Sequence, residues 1–278
     1  NADDVYYAQF MAKDNLPFHT IVWPATVLGT REPWTMASYI KGFNWLTYYG
    51  GKFSTSQNRG VFMDQALEIL PPDYWRYFLM TVAPESDDSD FTWELLSAVV
   101  NKDLAGTLGN FVNRTLKLAV SQFGNTVPQG GTWGPHEDDL LEKCRDSISE
   151  YKNALRNFEF RKAMIALKQL WTHGNVYIDA RAPWSLVRTN RDEAALVLRT
   201  CINLVRTYAL ASSPIIPFTS ETLFDALKMN AEERKASLND ALDLAALNPG
   251  RAFEVPPILF RKLEPDEIQK LQEKYSGM

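Results

Sequence analysis

From Thr92 to Met229 apolar residues recur at helical spacing in five segments separated by brief breaks. The first runs from Thr92 to Phe123 and stops at Gly124. Two more fill His136 to Asp179, a fourth spans Arg191 to Ser212, and a fifth follows Pro214 and Pro217 over Thr219 to Met229. Each amphipathic helix has to bury its apolar stripe against a neighbour. With connections this short, neighbours pack antiparallel, so this part of the chain is expected to be a helix bundle. Asn125 to Pro135, rich in Gly and Pro, is the one long loop among them. Gly106 and Gly109 lie inside the helical pattern and are expected to permit close packing of helices.

The first ninety residues have a different texture. Val5 to Met11 suits a short strand. Leu16 to Leu28 suits a helix, with Pro17 in its first turn, Gly29 at its exit and a kink or irregularity at Pro24. Ser38 to Ser54 alternates and is rich in aromatics, and Gly50-Gly51 breaks it, which predicts a β-hairpin. Asp64 is placed to cap a short helix ending before Pro71-Pro72, and Asp73 to Val82 forms another, closed by Pro84. Glu85 to Asp90 reads as an acidic linker. After position 230 the signals weaken to an extended apolar segment, Val255 to Phe260, and a charged helix, Pro265 to Lys274.

The charge balance of −5, from 29 Lys and Arg against 34 Asp and Glu, argues against indiscriminate nucleic-acid binding. Acid is concentrated in Glu85–Asp90 and Glu137–Glu150. Tyr151 to Leu170 instead holds Lys152, Arg156, Arg161, Lys162 and Lys168 against Glu159 alone. That stretch is either a face that docks one structured RNA or an ordinary solvated helix. Cys144 and Cys201 stand far apart with no CxxC partner, as buried thiols in a reducing compartment do. His19, His136 and His173 are isolated from one another, so no zinc site is expected. The apolar runs read as too short to cross a bilayer. The chain opens Asn1-Ala2-Asp3-Asp4, without the features of a secretory leader and without an initiator Met, which suggests a piece of a longer protein.

Gly50-Gly51-Lys52-Phe53-Ser54-Thr55-Ser56-Gln57-Asn58-Arg59-Gly60 carries the chemistry. A tight Gly-Gly turn leads into small hydroxyl residues, with a lysine before and an arginine after. Such a loop presents N–H groups, hydroxyls and fixed positive charge to a single polyphosphate. A bare K-x-S-x-S is more often the polar tip of a hairpin. The flanking Gly50-Gly51 and Arg59-Gly60 favour the ligand. So does the upstream segment Lys13-Asp14-Asn15-Leu16-Pro17-Phe18-His19-Thr20-Ile21-Val22-Trp23-Pro24-Ala25. There His19 and Trp23 are four apart and share one helical face. Alone, each reads as a core residue.

Together these segments resemble the second half of the active site of class I aminoacyl-tRNA synthetases, and the run Phe18 to Ala25 resembles the methionyl-tRNA synthetases in particular. The resemblance implies an α/β fold, the second half of a Rossmann-like nucleotide-binding domain with its KMSKS-loop hairpin, followed by an all-α, anticodon-binding bundle. Lys52 to Ser56 aligns with KMSKS, whose chemistry is to hold the ATP phosphates while the methionine carboxylate attacks. Lys52, Ser54, Ser56 and Arg59 are the implied catalytic set. Lys13, Asp14, Lys52, Phe53 and Thr55 are implied at ATP, and Asn15, His19 and Trp23 at methionine, whose thioether suits an aromatic edge. Thr55 stands where the second lysine of the signature sits and offers a hydroxyl without charge. Arg59 is expected to supply what it lacks.

The helix holding Asn110, Phe111, Val112, Asn113 and Arg114 resembles the first anticodon-reading helix of the family, and Ala182-Pro183-Trp184 its A-P-W. Asn110, Arg114 and Trp184 are thereby implied to contact a CAU anticodon: an amide for a base edge, a guanidinium fork and an indole to stack on. Individually, these three also read as a packed amide, a solvated charge and a bundle plug. The implied activity is ATP-dependent formation of methionyl-adenylate and its transfer to tRNA(Met), with Mg²⁺ accompanying ATP, in the cytoplasm and without a membrane. No H-x-G-H occurs here, so an N-terminal half of the same protein is expected to complete the enzyme. The expected division is 1–90 catalytic, 91–232 anticodon-binding, and 233–278 an extended segment and helix packing back on the catalytic part. The rivals are a synthetase for leucine, valine, isoleucine or cysteine, and a non-catalytic tRNA-binding module.

Overall fold

Strand β1 (Ala8–Ala12) and strand β2 (Tyr39–Phe43) pair in parallel in this computed structural model, which describes residues 4–277, with Ala8 opposite Tyr39 and Ala12 opposite Phe43. Between them lie a 3₁₀ turn, Lys13–Asn15, a π-helical turn, Phe18–Val22, and helix α1 (Trp23–Gly29). The helix expected over Leu16 to Leu28 therefore has two geometries. Pro24 brings no N–H for the preceding turn, and that turn widens ahead of it.

The hairpin expected over Ser38 to Ser54 does not form. Strand β3 (Leu46–Tyr48) continues from β2 and pairs in parallel with strand β4 (Ser89–Phe91), Leu46 opposite Ser89. Alternating aromatics specify an extended segment with two faces but leave its partner open, and parallel partners arrive only through long crossovers. Nor is Glu85 to Asp90 a linker. It enters β4, and three of its acids are bonded. Asp88 accepts the Trp45 N–H and pairs with Lys13, Asp90 accepts from Thr47 and the Gly50 N–H, and Glu85 pairs with Lys41. Charge density resembling solvated chain is here a set of caps.

Helices α2 (Met63–Ile69) and α3 (Pro72–Thr81) follow the loop. Phe62 rather than Asp64 takes the cap position of α2. Gln65 accepts the Phe62 N–H at 3.4 Å, and Asp64 sits in the first turn, where its charge favours the helix N-terminus. The bundle begins where the Thr92 hydroxyl accepts the Leu95 N–H and opens α4 (Trp93–Val99). A π-helical stretch, Val100–Gly109, joins it to α5 (Asn110–Phe123), and Gly124 at φ 82° ends the run. Gly106 serves this wide stretch rather than close packing of helices. A Cβ there would lie 2.8 Å from the Asn101 carbonyl five residues back.

The remaining helices are α6 (Pro135–Arg156), α7 (Phe160–Arg181), α8 (Pro183–Thr189), α9 (Arg191–Ser212), α10 (Pro217–Ala226), the short α11 (Ala231–Arg234) and α12 (Pro265–Tyr275). Helix α9 is long and apolar enough to cross a membrane, contrary to the reading of the runs as too short. Its most apolar window is 94% buried inside the bundle, so it is the core helix. Cys144 and Cys201 are buried, and burial pushes the Cys144 thiol up to about 12. Trp93, Trp171, Phe111 and Tyr208 fill the centre.

Gly174 of α7 lets α5 and α9 approach. A Cβ there would lie 2.1 Å from the Tyr208 hydroxyl and 2.9 Å from the Phe111 ring. Gly174→Ala is expected to destabilise the chain by about 1–3 kcal/mol through overpacking. The measurement is the urea midpoint at unchanged m-value; an unshifted midpoint would contradict this packing.

After α11 the chain passes along the bundle, where Leu263 exchanges two hydrogen bonds with the Asn101 amide, and reaches the α/β part, where Phe260 packs edge-on against Tyr74 at 5.4 Å and the Gly60 N–H donates to the Tyr275 carbonyl.

Candidate nucleotide and nucleic-acid sites

The loop after β3 is shaped by two turns. Tyr49 and Gly50 both have positive φ, 46° and 70°, and Tyr48 bridges to Gly51. This is the mirror-image turn that a two-residue connection prefers. Ser54 and Arg59 then exchange backbone hydrogen bonds at 2.9 Å in both directions, leaving Thr55 to Asn58 as the tip. The Ser54 and Ser56 hydroxyls lie 3.2 Å apart. Lys52 is exposed and has no partner among the described residues.

Phe53 and Arg59 face the other way. The Phe53 ring packs against Tyr48, Phe62 and Phe91, which leaves only its backbone for a ligand. It also requires Gly60, at φ 94°, where a Cβ would lie 2.3 Å from the ring. The Arg59 guanidinium donates to the Tyr48 carbonyl at 2.8 Å and to that of Tyr49 at 3.4 Å, beneath the first turn. Its charge therefore sits at the loop's base, not at its tip.

Lys13, Asp14 and Asn15 form the exposed 3₁₀ turn at the end of β1. The Lys13 ammonium bonds Asn44 at 3.2 Å and Asp88 at 3.1 Å. The Trp45 N–H first, and then Lys13, hold the Asp88 carboxyl below the usual carboxylate range. His19 is half-buried, its Nδ1 3.2 Å from the Gln9 amide oxygen. Trp23 is 57% exposed, and Phe18 and Ile21 are exposed beside it in sequence. The segment presents an apolar wall that the described residues leave open. Asp88 and Asp90 join the two candidate segments: one holds Lys13 and the other holds Gly50.

The second site lies at the C-terminal end of α7. Ala182 adopts a left-handed conformation, φ 43° and ψ 59°, and caps both α7 and α8. Such a turn is strained for a residue with a Cβ. It places Pro183 at the start of α8 and leaves Trp184 41% exposed. Arg114, one third exposed, stands over the Trp184 ring at 5.2 Å and donates to Asp179 at 2.6 Å. Asn110 is exposed at the start of α5 and lines a small cavity with Asn113, Pro256 and Ile258. Of the basic residues in Tyr151 to Leu170, Lys168 pairs with Asp103, Lys162 with Glu159, and Lys152 bonds Asn239. Arg156 and Arg161 are exposed and their side chains have no partner among the described residues, so the stretch is a basic face in part only.

Residues 127–278 match the family model described as the anticodon binding domain of methionyl tRNA ligase, and residues 1–116 match that of tRNA synthetases class I (M). The chain belongs to the methionyl-tRNA synthetase family. It is 56% identical over 276 residues to methionine–tRNA ligase 1 of Acaryochloris marina, covering 99% of this chain and 50% of that protein. It is 50% identical over 274 residues to the methionine–tRNA ligase of Streptomyces avermitilis, covering 98% of this chain and 48% of that protein. The chain thus spans about half the length of these relatives. Its fold is similar to that of Mycobacterium tuberculosis methionyl-tRNA synthetase in the free state, with a TM-score of 0.80 at 22% identity over 93% of this chain and 50% of that one. The same enzyme bound by methionyl-adenylate gives a TM-score of 0.80 at 23% identity over 92% and 50%.

Against this family background, the residues missed in sequence are supports. Asp88, Asp90 and Asp179 each hold a candidate site residue or its turn. Only their position in an acid-rich stretch, or shortly before Trp184, could have drawn attention to them.

Proposed function

We propose that this chain is the C-terminal half of a methionine–tRNA ligase. With an N-terminal half it would activate methionine with ATP to methionyl-adenylate and transfer it, in the cytoplasm, to tRNA with a CAU anticodon. The observation that carries the reading is Arg114 over a half-exposed Trp184, held there by Asp179. A flat indole with one face covered by a guanidinium is a platform for an unpaired base. The relatives named methionine–tRNA ligase, and the related enzyme holding methionyl-adenylate, support the same assignment.

In this reading Lys52 and the hydroxyls of Ser54, Thr55 and Ser56 meet the phosphates of ATP, and Phe53 anchors the loop while lending its backbone. Charge develops on the departing pyrophosphate, and a preformed cation with directed donors stabilises it. Lys13 and Asp14 serve the nucleotide. Asn15, His19 and Trp23 form one wall of the methionine pocket, and the N-terminal half closes it. Mg²⁺ would arrive on ATP; among the described residues no group of three or more His, Cys, Asp or Glu is placed to hold a metal. Asn110 joins Arg114 and Trp184 on the anticodon. Residues 1–90 are assigned to catalysis, 91–232 to anticodon binding, and 233–278 to a segment packing back on the catalytic part.

The test is to join the chain to the N-terminal half of its own protein and measure pyrophosphate exchange over a panel of amino acids. Methionine-dependent exchange and charging of CAU tRNA are expected. Exchange driven by leucine, valine, isoleucine or cysteine would select the first rival. Shifted CAU tRNA with no exchange would select a binding module. Arg59→Ala in the joined protein is expected to slow adenylate formation more than it weakens methionine binding, because the charge beneath the first turn and the hold on the Tyr48 carbonyl go together. Unchanged exchange would remove Arg59 from the mechanism.

A further inference from the structure

Helix α7 connects the α/β part to the Trp184 end without a break. Its 22 residues make a rod of about 33 Å at 1.5 Å per residue. A side chain from outside the bundle holds its start. Glu85 accepts the Phe160 N–H through Oε1 and the Arg161 N–H through Oε2, each at 2.9 Å. These donors have no partner inside their own helix, and a carboxylate is the group their partial positive charge favours. The same Oε1 pairs with Lys41 of β2 at 3.0 Å, with the two side chains only 17% and 13% exposed. Aromatic rings continue the joint. Phe43 stacks on Phe160 at 6.1 Å, Phe10 meets Phe158 edge-on at 5.0 Å, and Tyr39 lies 4.7 Å from Phe158. Strands β1 and β2 and the first turn of α7 are thus one packed unit. At the far end of the same rod, Asp179 holds Arg114, and Ala182 turns the chain into Trp184.

We propose that Glu85 is a positioning residue for tRNA charging. By fixing the start of α7 to β2, it sets the distance and angle between the end that reads the anticodon and the end that holds the adenylate. An RNA gripped at Trp184 then brings its acceptor end to the nucleotide loop in register. Among the described residues, none of the bonds Glu85 makes reaches the loop or the Lys13 turn. Its effect therefore falls on transfer to tRNA and not on amino-acid activation. This role rests on the function proposed above.

The experiment compares Glu85→Ala and Glu85→Gln with the wild type in the joined protein. Methionine-dependent pyrophosphate exchange, kcat and KM for tRNA charging, and thermal melting are measured. In Glu85→Ala, exchange and the tRNA KM stay within about threefold of wild type, while the charging kcat falls about ten- to a hundredfold, as misplacement of a reacting group by about 1 Å would produce. Glu85→Gln keeps the length of the side chain and one acceptor oxygen, and recovers part of that kcat. If the alanine variant does not fold, the glutamine variant decides alone, with lowered charging kcat at normal exchange. Wild-type charging kcat in whichever variant folds overturns the proposal, as does a loss of exchange equal to the loss of charging, which marks a purely structural role. A wild-type protein without methionine-dependent exchange overturns the functional reading itself, before any variant is compared.

Discussion

Lys52→Ala in the complete enzyme is expected to slow methionyl-adenylate formation by about a hundred- to a thousandfold, the loss typical when a preorganised group facing developing charge is removed. Lys52 is exposed and without a partner among the described residues, whereas the Arg59 guanidinium is turned under the loop. The geometry around Lys52 is stiff. The Tyr49-Gly50 turn fixes the approach, Asp90 accepts the Gly50 N–H at 2.9 Å, and Phe53 locks the next residue into the core. A cation on so fixed a base loses little to reorganisation when phosphate charge shifts. Methionine binding should change little, because His19 and Trp23, proposed above as the pocket wall, lie on another segment. Pre-steady-state adenylate formation with separate measurement of methionine affinity checks this. A fall in methionine affinity that accounts for the whole loss, or a normal rate, would remove Lys52 from the phosphate site.

The second large effect is expected at the other end. Trp184→Ala should raise the KM for CAU tRNA about five- to a hundredfold, since stacking one base on an aromatic ring is worth about 1–3 kcal/mol. The upper part of the range applies here for a structural reason. Without the indole, Arg114 loses the ring it covers at 5.2 Å and keeps only Asp179 at 2.6 Å. The base loses its platform, and the guanidinium loses its placement. Trp184→Phe keeps a π face and should recover most of the affinity. Pyrophosphate exchange, which needs no tRNA, is the internal reference for both variants. Equal tRNA KM values for wild type and Trp184→Ala would show that the indole only plugs the bundle.

The sequence is most legible where a local rule acts alone. The start at Thr92, the stop at Gly124 and the span of α9 are decided within a turn of the residues that cause them. It is least legible where a residue's partner is remote. Ser38 to Ser54 looked like a hairpin because alternation reports two faces and nothing about who lies alongside. Glu85 to Asp90 looked like a linker because its acids carry no pattern of their own. Their meaning comes from an N–H of β3's approach, an ammonium at the end of β1, and the start of α7. The irregular turn at Pro24 was expected, but its π geometry was not, since a missing donor can be absorbed in more than one way.

Residue types and short spacings therefore determined, unaided, that this chain is a small α/β part joined to a helix bundle. They also determined that its loop carries lysine and hydroxyls and that its bundle carries an amide, a guanidinium and an indole. Tertiary structure alone decided that Arg59 points inward while Lys52 stays exposed. It alone brought Arg114 onto Trp184, and made a stretch of acid the fastening between the parts. The physical reason is range: capping, propensity and turn chemistry act over a few residues and are written where they act. The direction of a charged side chain, by contrast, depends on which donors and acceptors folding brings within hydrogen-bond reach.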